Sequence, residues 1–64
     1  MCLATVYGKK DGAESVILKN ASYLSVDGKK IVIRDIIGME TEVEGEILSV
    51  DLANAVVKIK VTAD

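Results

Sequence analysis

Cys2 is the residue best placed for chemistry, because it is the single cysteine of a chain that contains no histidine. A thiolate one residue from the start of the chain can bind a metal ion together with the terminal amine. The amine of Met1, the deprotonated amide of Cys2 and the Cys2 sulfur would close two adjacent chelate rings around one ion. Such a donor set suits the planar geometry of Ni(II) or Cu(II) better than the tetrahedral geometry of Zn(II). If Met1 is removed, the amine and thiolate of Cys2 still form a bidentate pair.

A metal site at Met1 and Cys2 is incomplete within one chain, which supplies too few donors to surround the ion. The pattern therefore predicts a homodimer in which a second copy brings a second thiolate. Two other roles for Cys2 stay open. A free cysteine often packs as a small hydrophobic side chain within a strand. An odd cysteine can also form a disulfide between two chains, which a reducing compartment disfavours.

Glutamates at every second position form the strongest charge pattern of the chain: Glu40, Glu42, Glu44 and Glu46. Alternation of this kind places them on one face of a strand. Their carboxylates could attract hard cations such as Ca²⁺ or Mg²⁺, or form a docking surface. A solvated sheet face that discourages edge-to-edge association is the simpler interpretation.

Two lysine pairs, Lys9-Lys10 and Lys29-Lys30, fall at predicted turns and could contact the phosphates of RNA. Small barrels that bind single-stranded RNA also need exposed aromatic residues for stacking. Tyr7 and Tyr23 are the only aromatic residues here, and the net charge is −2. An RNA-binding module is therefore an alternative function, but nucleic acid is not the favoured partner.

The composition argues against an enzyme. The chain has no histidine to act as a base and no phosphate-binding glycine loop that leads into a helix. A domain of 64 residues also has little room for a desolvated pocket. A binding protein or a structural interaction domain fits better.

Strands must position any site, because β-branched residues dominate and no segment shows the spacing of an amphipathic helix. The predicted strands cover 1–7, 14–26 with a bend or bulge at 20–22, 29–34, 39–52 with a bend or bulge at Gly45, and 56–62. Turns are predicted at 8–12, at Asp27-Gly28 and at 52–54. The pattern indicates one all-β domain, 1–64, in which an antiparallel meander closes into a small SH3-like or Sm-like barrel.

The size of the chain favours a partner. A domain this short buries only about 60% of the surface of its unfolded chain, and one cysteine cannot form an internal disulfide. Half of the residues are hydrophobic, which is more apolar surface than so small a core can cover. No membrane-spanning or signal segment is visible, so we expect a soluble, cytoplasmic protein.

Short motifs along the chain resemble the CooT family of very small bacterial and archaeal proteins. These are Met1-Cys2, Val6-Tyr7, Asp27-Gly28, Ile37-Gly38-Met39-Glu40, Val43-Glu44-Gly45-Glu46-Ile47 and Val50-Asp51-Leu52. The resemblance spans nearly the whole chain, and the cysteine at position two is its most specific feature.

The resemblance implies a homodimer that binds Ni(II) and resembles a metallochaperone. Cys2 is the ligand that carries over from the family, and the chelate argument adds Met1. The implied partner is a nickel enzyme such as carbon monoxide dehydrogenase, or one of its maturation factors. Members of this family are also often described as RNA-binding, which keeps that alternative open.

Overall fold

The computed structural model describes residues 3–62, and these fold as five strands without a helix. The strands are β1 (Ala4–Lys10), β2 (Ala13–Asp27), β3 (Lys30–Asp35), β4 (Glu40–Asp51) and β5 (Val56–Val61). The predicted all-β fold is confirmed. Within the described residues no helix is long and apolar enough to cross a membrane.

The strands follow one another around a closed ring, β1-β2-β3-β4-β5, as a meander does. Each consecutive pair is antiparallel, whereas β1 and β5 are parallel, with registers from Thr5↔Val56 to Lys9↔Lys60. The parallel pair is a consequence of the odd number of strands. When direction alternates along the chain, the first and fifth strands run the same way, so the ring can close only in parallel. The sequence analysis predicted that an antiparallel meander closes on itself, which the ring confirms, but it did not anticipate that the closing pair is parallel.

The two long strands, β2 and β4, each serve two neighbours. On β2, Ala21 pairs with Ala4 of β1 and with Asp35 of β3, and the register shifts immediately beyond it. Asn20 adopts a positive φ of 58° at this point. The predicted bend at 20–22 is therefore confirmed, and it lets β2 leave β1 and continue beside β3.

On β4 the change of neighbour takes place at Gly45. Glu44 is the last residue paired with β3, and Gly45 is the first residue paired with β5. A Cβ at Gly45 would lie 2.1 Å from the carbonyl oxygen of Lys60, which is far inside van der Waals contact. Gly45 is thus required for close approach of β4 and β5. The register shift itself lies further on, between Ile47 and Ser49.

Two predicted turns have different bounds in the structure. Strand β1 continues through Gly8 to Lys10, so the first turn contains only Asp11 and Gly12, with φ of 51° and 81°. Two positive φ values are the mark of a type I′ turn, which favours Asp-Gly. The sequence analysis placed such a turn at Asp27-Gly28.

In the structure, Asp27 instead ends β2 and pairs with Lys30. The turn consists of Gly28 and Lys29, and only Gly28 has a positive φ, 61°. Glycine at the first turn position alone is the pattern of a type II′ turn. The Asp-Gly motif predicted the hairpin correctly but placed the turn one residue too early.

The core is small and aliphatic, as the composition predicts. Its buried side chains are Val6, Ala21, Ile31, Ile33, Val57 and Ile59. Inward alternation on β5 is confirmed, because Val57 and Ile59 are buried while Lys58 and Lys60 remain outside. Many other large apolar side chains remain exposed, which makes the outer surface informative.

Candidate metal centre

The predicted metal ligands, Met1 and Cys2, lie outside the described residues. Between residues 3 and 62 no three cysteine, aspartate or glutamate side chains come together in a way that could hold a metal ion. The predicted cation site on the glutamate stripe therefore has no cluster to support it. The thiolate and amine donors of the first two residues stay the candidate ligands by their chemistry.

The chain enters the fold beside an apolar groove of about 320 Å³. Leu3, which is bonded to Cys2, is one of its walls. The other walls come from β2 just after its bend, from the end of β4, from the turn that follows and from the start of β5. Large apolar side chains dominate this lining: Leu3, Tyr23, Leu24, Val50, Leu52 and Val57.

A hydrogen-bonded apolar loop, residues 36–39, leaves β3 beside this groove. Oδ1 of Asp35 accepts hydrogen bonds from the backbone N–H of Ile37 (3.0 Å) and of Met39 (2.9 Å). The backbone closes the same loop, since Asp35 N–H donates to the Met39 carbonyl at 2.9 Å and Gly38 N–H donates to the Asp35 carbonyl at 3.1 Å. Gly38 has φ 92°, which a residue with a Cβ rarely adopts.

This loop exposes apolar side chains to solvent. Ile37 is 81% exposed and Met39 is 63% exposed, and Ile36 lies between them and β3 at 54%. Loops usually carry polar residues at such positions, whereas this one is closed by hydrogen bonds to Asp35 and presents hydrocarbon. A preformed apolar loop is a common anchor in protein–protein contacts, because little conformational freedom is lost on binding.

One end of the loop is hydrogen-bonded to the groove wall, and the other end reaches it through Arg34. Ser22 Oγ donates to the carbonyl of Asp35 at 3.2 Å. At the other end, the guanidinium of Arg34 lies 4.4 Å from the ring centre of Tyr23 and bonds Glu40 Oε2 at 2.8 Å. The groove and the loop thus form one surface, which we call the apolar end. It comprises the groove residues Leu3, Tyr23, Val50 and Leu52 and the loop residues Ile36, Ile37 and Met39.

A second aspartate holds the other exposed side of the apolar end. Asp51 accepts hydrogen bonds from the backbone N–H of Asn54 (3.1 Å) and from its side-chain amide (2.9 Å). These bonds, the side-chain one first, hold the pKa of the Asp51 carboxyl below its ordinary value. The turn they close carries Leu52, which is 85% exposed. Asp35 and Asp51 therefore have the same role: each carboxylate accepts hydrogen bonds that close a turn with exposed apolar side chains.

The predicted glutamate stripe lies on the outer face of β4 and is exposed, as expected. Three of its members pair with cations of the chain: Glu40 with Arg34 at 2.8 Å, Glu42 with Lys30 at 3.0 Å and Glu46 with Lys29 at 4.0 Å. Hydrogen bonding and attraction to Glu42 raise the pKa of Lys30. We call this row of pairs the charged face. Its charges are largely compensated within the chain.

The lysines that could bind RNA lie in two different surroundings, because one pair is next to the glutamates of the charged face and the other is not. Lys29 and Lys30 lie beside glutamates, which compete with a phosphate for them. Lys9 lies on β1, opposite Lys60 of β5, rather than in a turn. Tyr23 is covered on one side by Arg34, so one face of its ring is occupied.

Comparison with known proteins identifies the family. The sequence profile of the CooT family, described as CO dehydrogenase accessory protein CooT, matches residues 1–64. This chain belongs to the CooT family. The resemblance found in the sequence is thereby confirmed, as is the prediction that the chain is not itself an enzyme, since the family is an accessory to one.

A solved structure supports the fold independently. The crystal structure of a protein assigned as CooT from Carboxydothermus hydrogenoformans superposes with a TM-score of 0.85 at 14% sequence identity. The match covers 97% of this chain and 100% of that one. No curated protein matches the sequence significantly. At such low identity the likeness establishes the closed ring of strands and leaves the site residues to chemical argument.

The apolar end was not anticipated from the sequence. Its signal was present in Asp35-Ile36-Ile37-Gly38-Met39, where apolar residues stand between an aspartate and a glycine. Aspartate at the start of a segment often caps backbone N–H groups two residues on, and glycine supplies a positive φ. Hydrophobic residues enclosed by such turn formers indicate an exposed apolar loop.

Proposed function

We propose that this member of the CooT family is a nickel-binding, metallochaperone-like protein that carries Ni(II) to CO dehydrogenase or to its maturation factors. The thiolate of Cys2 and the amine of Met1 bind the ion, and a homodimer supplies the second pair of donors. Nickel is cargo in this proposal. The observation that carries it is the family match over residues 1–64, described as an accessory protein of CO dehydrogenase.

The chemistry of the first two residues supports nickel as the cargo. A thiolate and an amine are soft and borderline donors, and nickel prefers them to the carboxylates that dominate the rest of the chain. Between residues 3 and 62 no carboxylate cluster competes for the ion. Both donors must lose a proton before they bind, so the proposal predicts weaker binding as the pH falls.

A site built from few donors per chain also suits delivery. An ion held between two chains can exchange its ligands one at a time with those of a recipient protein. The recipient in this proposal is a nickel enzyme or its maturation machinery, and the cytoplasm is the compartment predicted from the sequence. The exposed apolar end offers the surface that a homodimer needs.

Titration with Ni(II), followed by near-ultraviolet absorption, tests the site directly. We expect a thiolate-to-nickel charge-transfer band with the wild-type chain and no band with Cys2→Ser. As a matched control, Ser15→Cys in the Cys2→Ser background restores one thiol at an exposed strand position far along the chain. It should not restore the band, since a thiol alone lacks the neighbouring amine.

A second variant tests Met1. Extending the chain by two residues before Met1 keeps Cys2 but moves the terminal amine away from it. We expect nickel affinity to fall by at least about tenfold, because one chelate ring is lost. A nickel band of equal strength in Cys2→Ser would refute the proposed site. Unchanged affinity in the extended chain would remove Met1 from it and leave Cys2.

A further inference from the structure

We infer that the turn 52–55, which joins β4 to β5, positions the start of the chain for metal binding, with Asp51 and Ala55 as its positioning residues. The inference rests on the proposed function, because it names the part of the fold that holds the segment leading to Cys2. The turn meets that segment in two ways, through a backbone hydrogen bond and through a shared apolar groove.

The hydrogen bond lies at the start of β1. The backbone N–H of Thr5 donates to the carbonyl of Ala55 at 2.9 Å. Thr5 is also the first residue of β1 that pairs with β5, where it lies opposite Val56. The other side of β1 is irregular here, since its register with β2 shifts between Ala4 and Val6. A shift of this kind interrupts the local ladder of hydrogen bonds, so the turn is the more regular of the two anchors.

The carbonyl that accepts this bond belongs to a residue in an uncommon conformation. Ala55 has a φ of 56°, in the left-handed region that a residue with a Cβ seldom adopts. Such a conformation persists only where neighbouring contacts hold it. The preceding residue supplies them, because Asn54 donates to Asp51 from its backbone N–H (3.1 Å) and its side-chain amide (2.9 Å). Asp51 thus holds the turn, and the turn holds the carbonyl that accepts from Thr5.

Apolar packing holds the same segment closer to the proposed ligands. Leu3, which is bonded to Cys2, lines the groove together with Leu52 and Ala55 of the turn. Leu3 is half-buried there. With Leu3 in the groove and the Thr5 N–H bonded to the turn, the point from which Cys2 reaches an ion is fixed. A ligand segment that is held before the ion arrives loses less conformational freedom on binding, which raises the affinity.

Competition with a chelator of known nickel affinity, followed by the thiolate-to-nickel band, tests the inference. Asp51→Ala removes the acceptor of both Asn54 bonds, and we expect nickel to bind about fivefold more weakly or worse. Gly12→Ala is the matched control, because it strains a turn at the opposite end of β1, where φ is 81° and no atom lies within 4 Å of an added Cβ. It should lower the free energy of unfolding and keep the wild-type nickel affinity. If Asp51→Ala fails to fold, Asn54→Ala removes only the side-chain bond and should show a smaller loss.

Two substitutions at Ala55 separate positioning from stability. Ala55→Gly keeps the carbonyl and adopts a positive φ without steric cost, so the wild-type nickel affinity is expected. Ala55→Val places a β-branched side chain at the same φ, which it strongly disfavours, and the affinity should fall as in Asp51→Ala. Hydrogen exchange reports the anchor itself. The Thr5 amide should lose protection in Ala55→Val and Asp51→Ala and keep it in Ala55→Gly and Gly12→Ala.

The outcomes separate this inference from the proposed nickel site. Wild-type nickel affinity in Asp51→Ala and Ala55→Val overturns the inference, whether or not Thr5 exchanges faster, and leaves the site at Cys2 standing. A loss of affinity in Gly12→Ala equal to that in Asp51→Ala also overturns it, because general destabilisation would then explain the effect. A wild-type chain that gives no nickel band overturns the proposed site and the inference with it.

Discussion

The charged face and the apolar end differ in whether one chain can satisfy them. On the charged face, Arg34, Lys30 and Lys29 each meet a glutamate of β4, so the exposed charges are paired within the chain. At the apolar end, Ile37 and Leu52 are held outward by turns and contact little of their own molecule. The difference separates a region whose exposed groups are paired within the 64-residue chain from a region that leaves large apolar side chains exposed.

Strand β3 joins the two regions within a few residues. Arg34 belongs to the charged face through Glu40, and Asp35, the next residue, begins the loop of the apolar end. The buried Ile33 precedes both. Substitutions along this short segment, and at the bend of β4, can therefore affect one region without the other.

The largest effect is expected at Gly45, where β4 stops pairing with β3 and begins to pair with β5. Gly45→Ala forces a Cβ to within 2.1 Å of the Lys60 carbonyl oxygen, and backbone must move to relieve it. We expect a loss of about 4 kcal/mol or more in the free energy of unfolding, which is most of the stability of so small a domain. Urea unfolding followed by circular dichroism measures it.

Gly38→Ala is the control for the Gly45 prediction. No atom lies within 4 Å of a Cβ at Gly38, so the cost there comes only from its φ of 92°. A loss of about 1–2 kcal/mol is expected. Equal losses at the two glycines would show that the contact with Lys60 is not what requires Gly45.

The next largest effect contrasts two isoleucines on either side of Asp35. Ile33 is fully buried and Ile37 is 81% exposed. Ile33→Ala should cost about 2–5 kcal/mol, because it leaves a cavity in the core. Ile37→Ala should change the unfolding free energy of the monomer by less than about 0.5 kcal/mol. Unfolding at a concentration low enough to dissociate a dimer isolates the two values.

A large loss of unfolding free energy in Ile37→Ala would contradict the contrast between the buried Ile33 and the exposed Ile37. If Ile37→Ala destabilised the isolated chain as much as Ile33→Ala, the loop would be part of the core and not a docking element. If the loss at Ile37 appeared only at high protein concentration, it would come from association, as the contrast between the two regions predicts.

Most of the charged face could be predicted from the sequence, because period-two alternation fixes which side chains share a face. The placement of Glu40, Glu42 and Glu46 followed directly from that rule. Buried Val57 and Ile59 on β5 followed in the same way. The exact partners did not, since register depends on the turns, and the Asp27-Gly28 motif placed its turn one residue too early.

The apolar end could not be predicted because it depends on tertiary folding. Leu3, Tyr23 and Leu52 are far apart in the chain and meet only because β2 bends at Asn20 and the ring closes through a parallel pair. No local pattern encodes that meeting. The candidate metal ligands are the opposite case, since Met1 and Cys2 are adjacent in sequence and their chelating chemistry can be recognised without a fold.

A smaller effect is expected from Asp35, which holds the loop of the apolar end. Asp35→Ala removes the acceptor of the Ile37 and Met39 N–H groups. The unfolding free energy should fall by about 1–2 kcal/mol. Hydrogen exchange should accelerate at those two amides while the amides of β3 and β4 on the charged face keep their protection. Acceleration spread evenly over the whole sheet would contradict a local role for Asp35.

The smallest effect concerns pH and the turn that carries Leu52. Because Asn54 lowers the pKa of Asp51 in the folded state, Asp51 stabilises the fold fully above the ordinary aspartate pKa, and this contribution is lost as the pH falls through the lowered folded value. The turn of the apolar end should therefore weaken as the pH falls below the ordinary aspartate pKa of 3.8. Carboxyl-carbon NMR titration should place the Asp51 pKa below the ordinary range in the wild type and nearer to it in Asn54→Ala, whose backbone N–H still donates. On the charged face the direction is opposite, since the raised pKa of Lys30 keeps its contribution until the pH rises through that value. An Asp51 pKa that is equal in the two proteins would show that the side chain of Asn54 does not stabilise this turn.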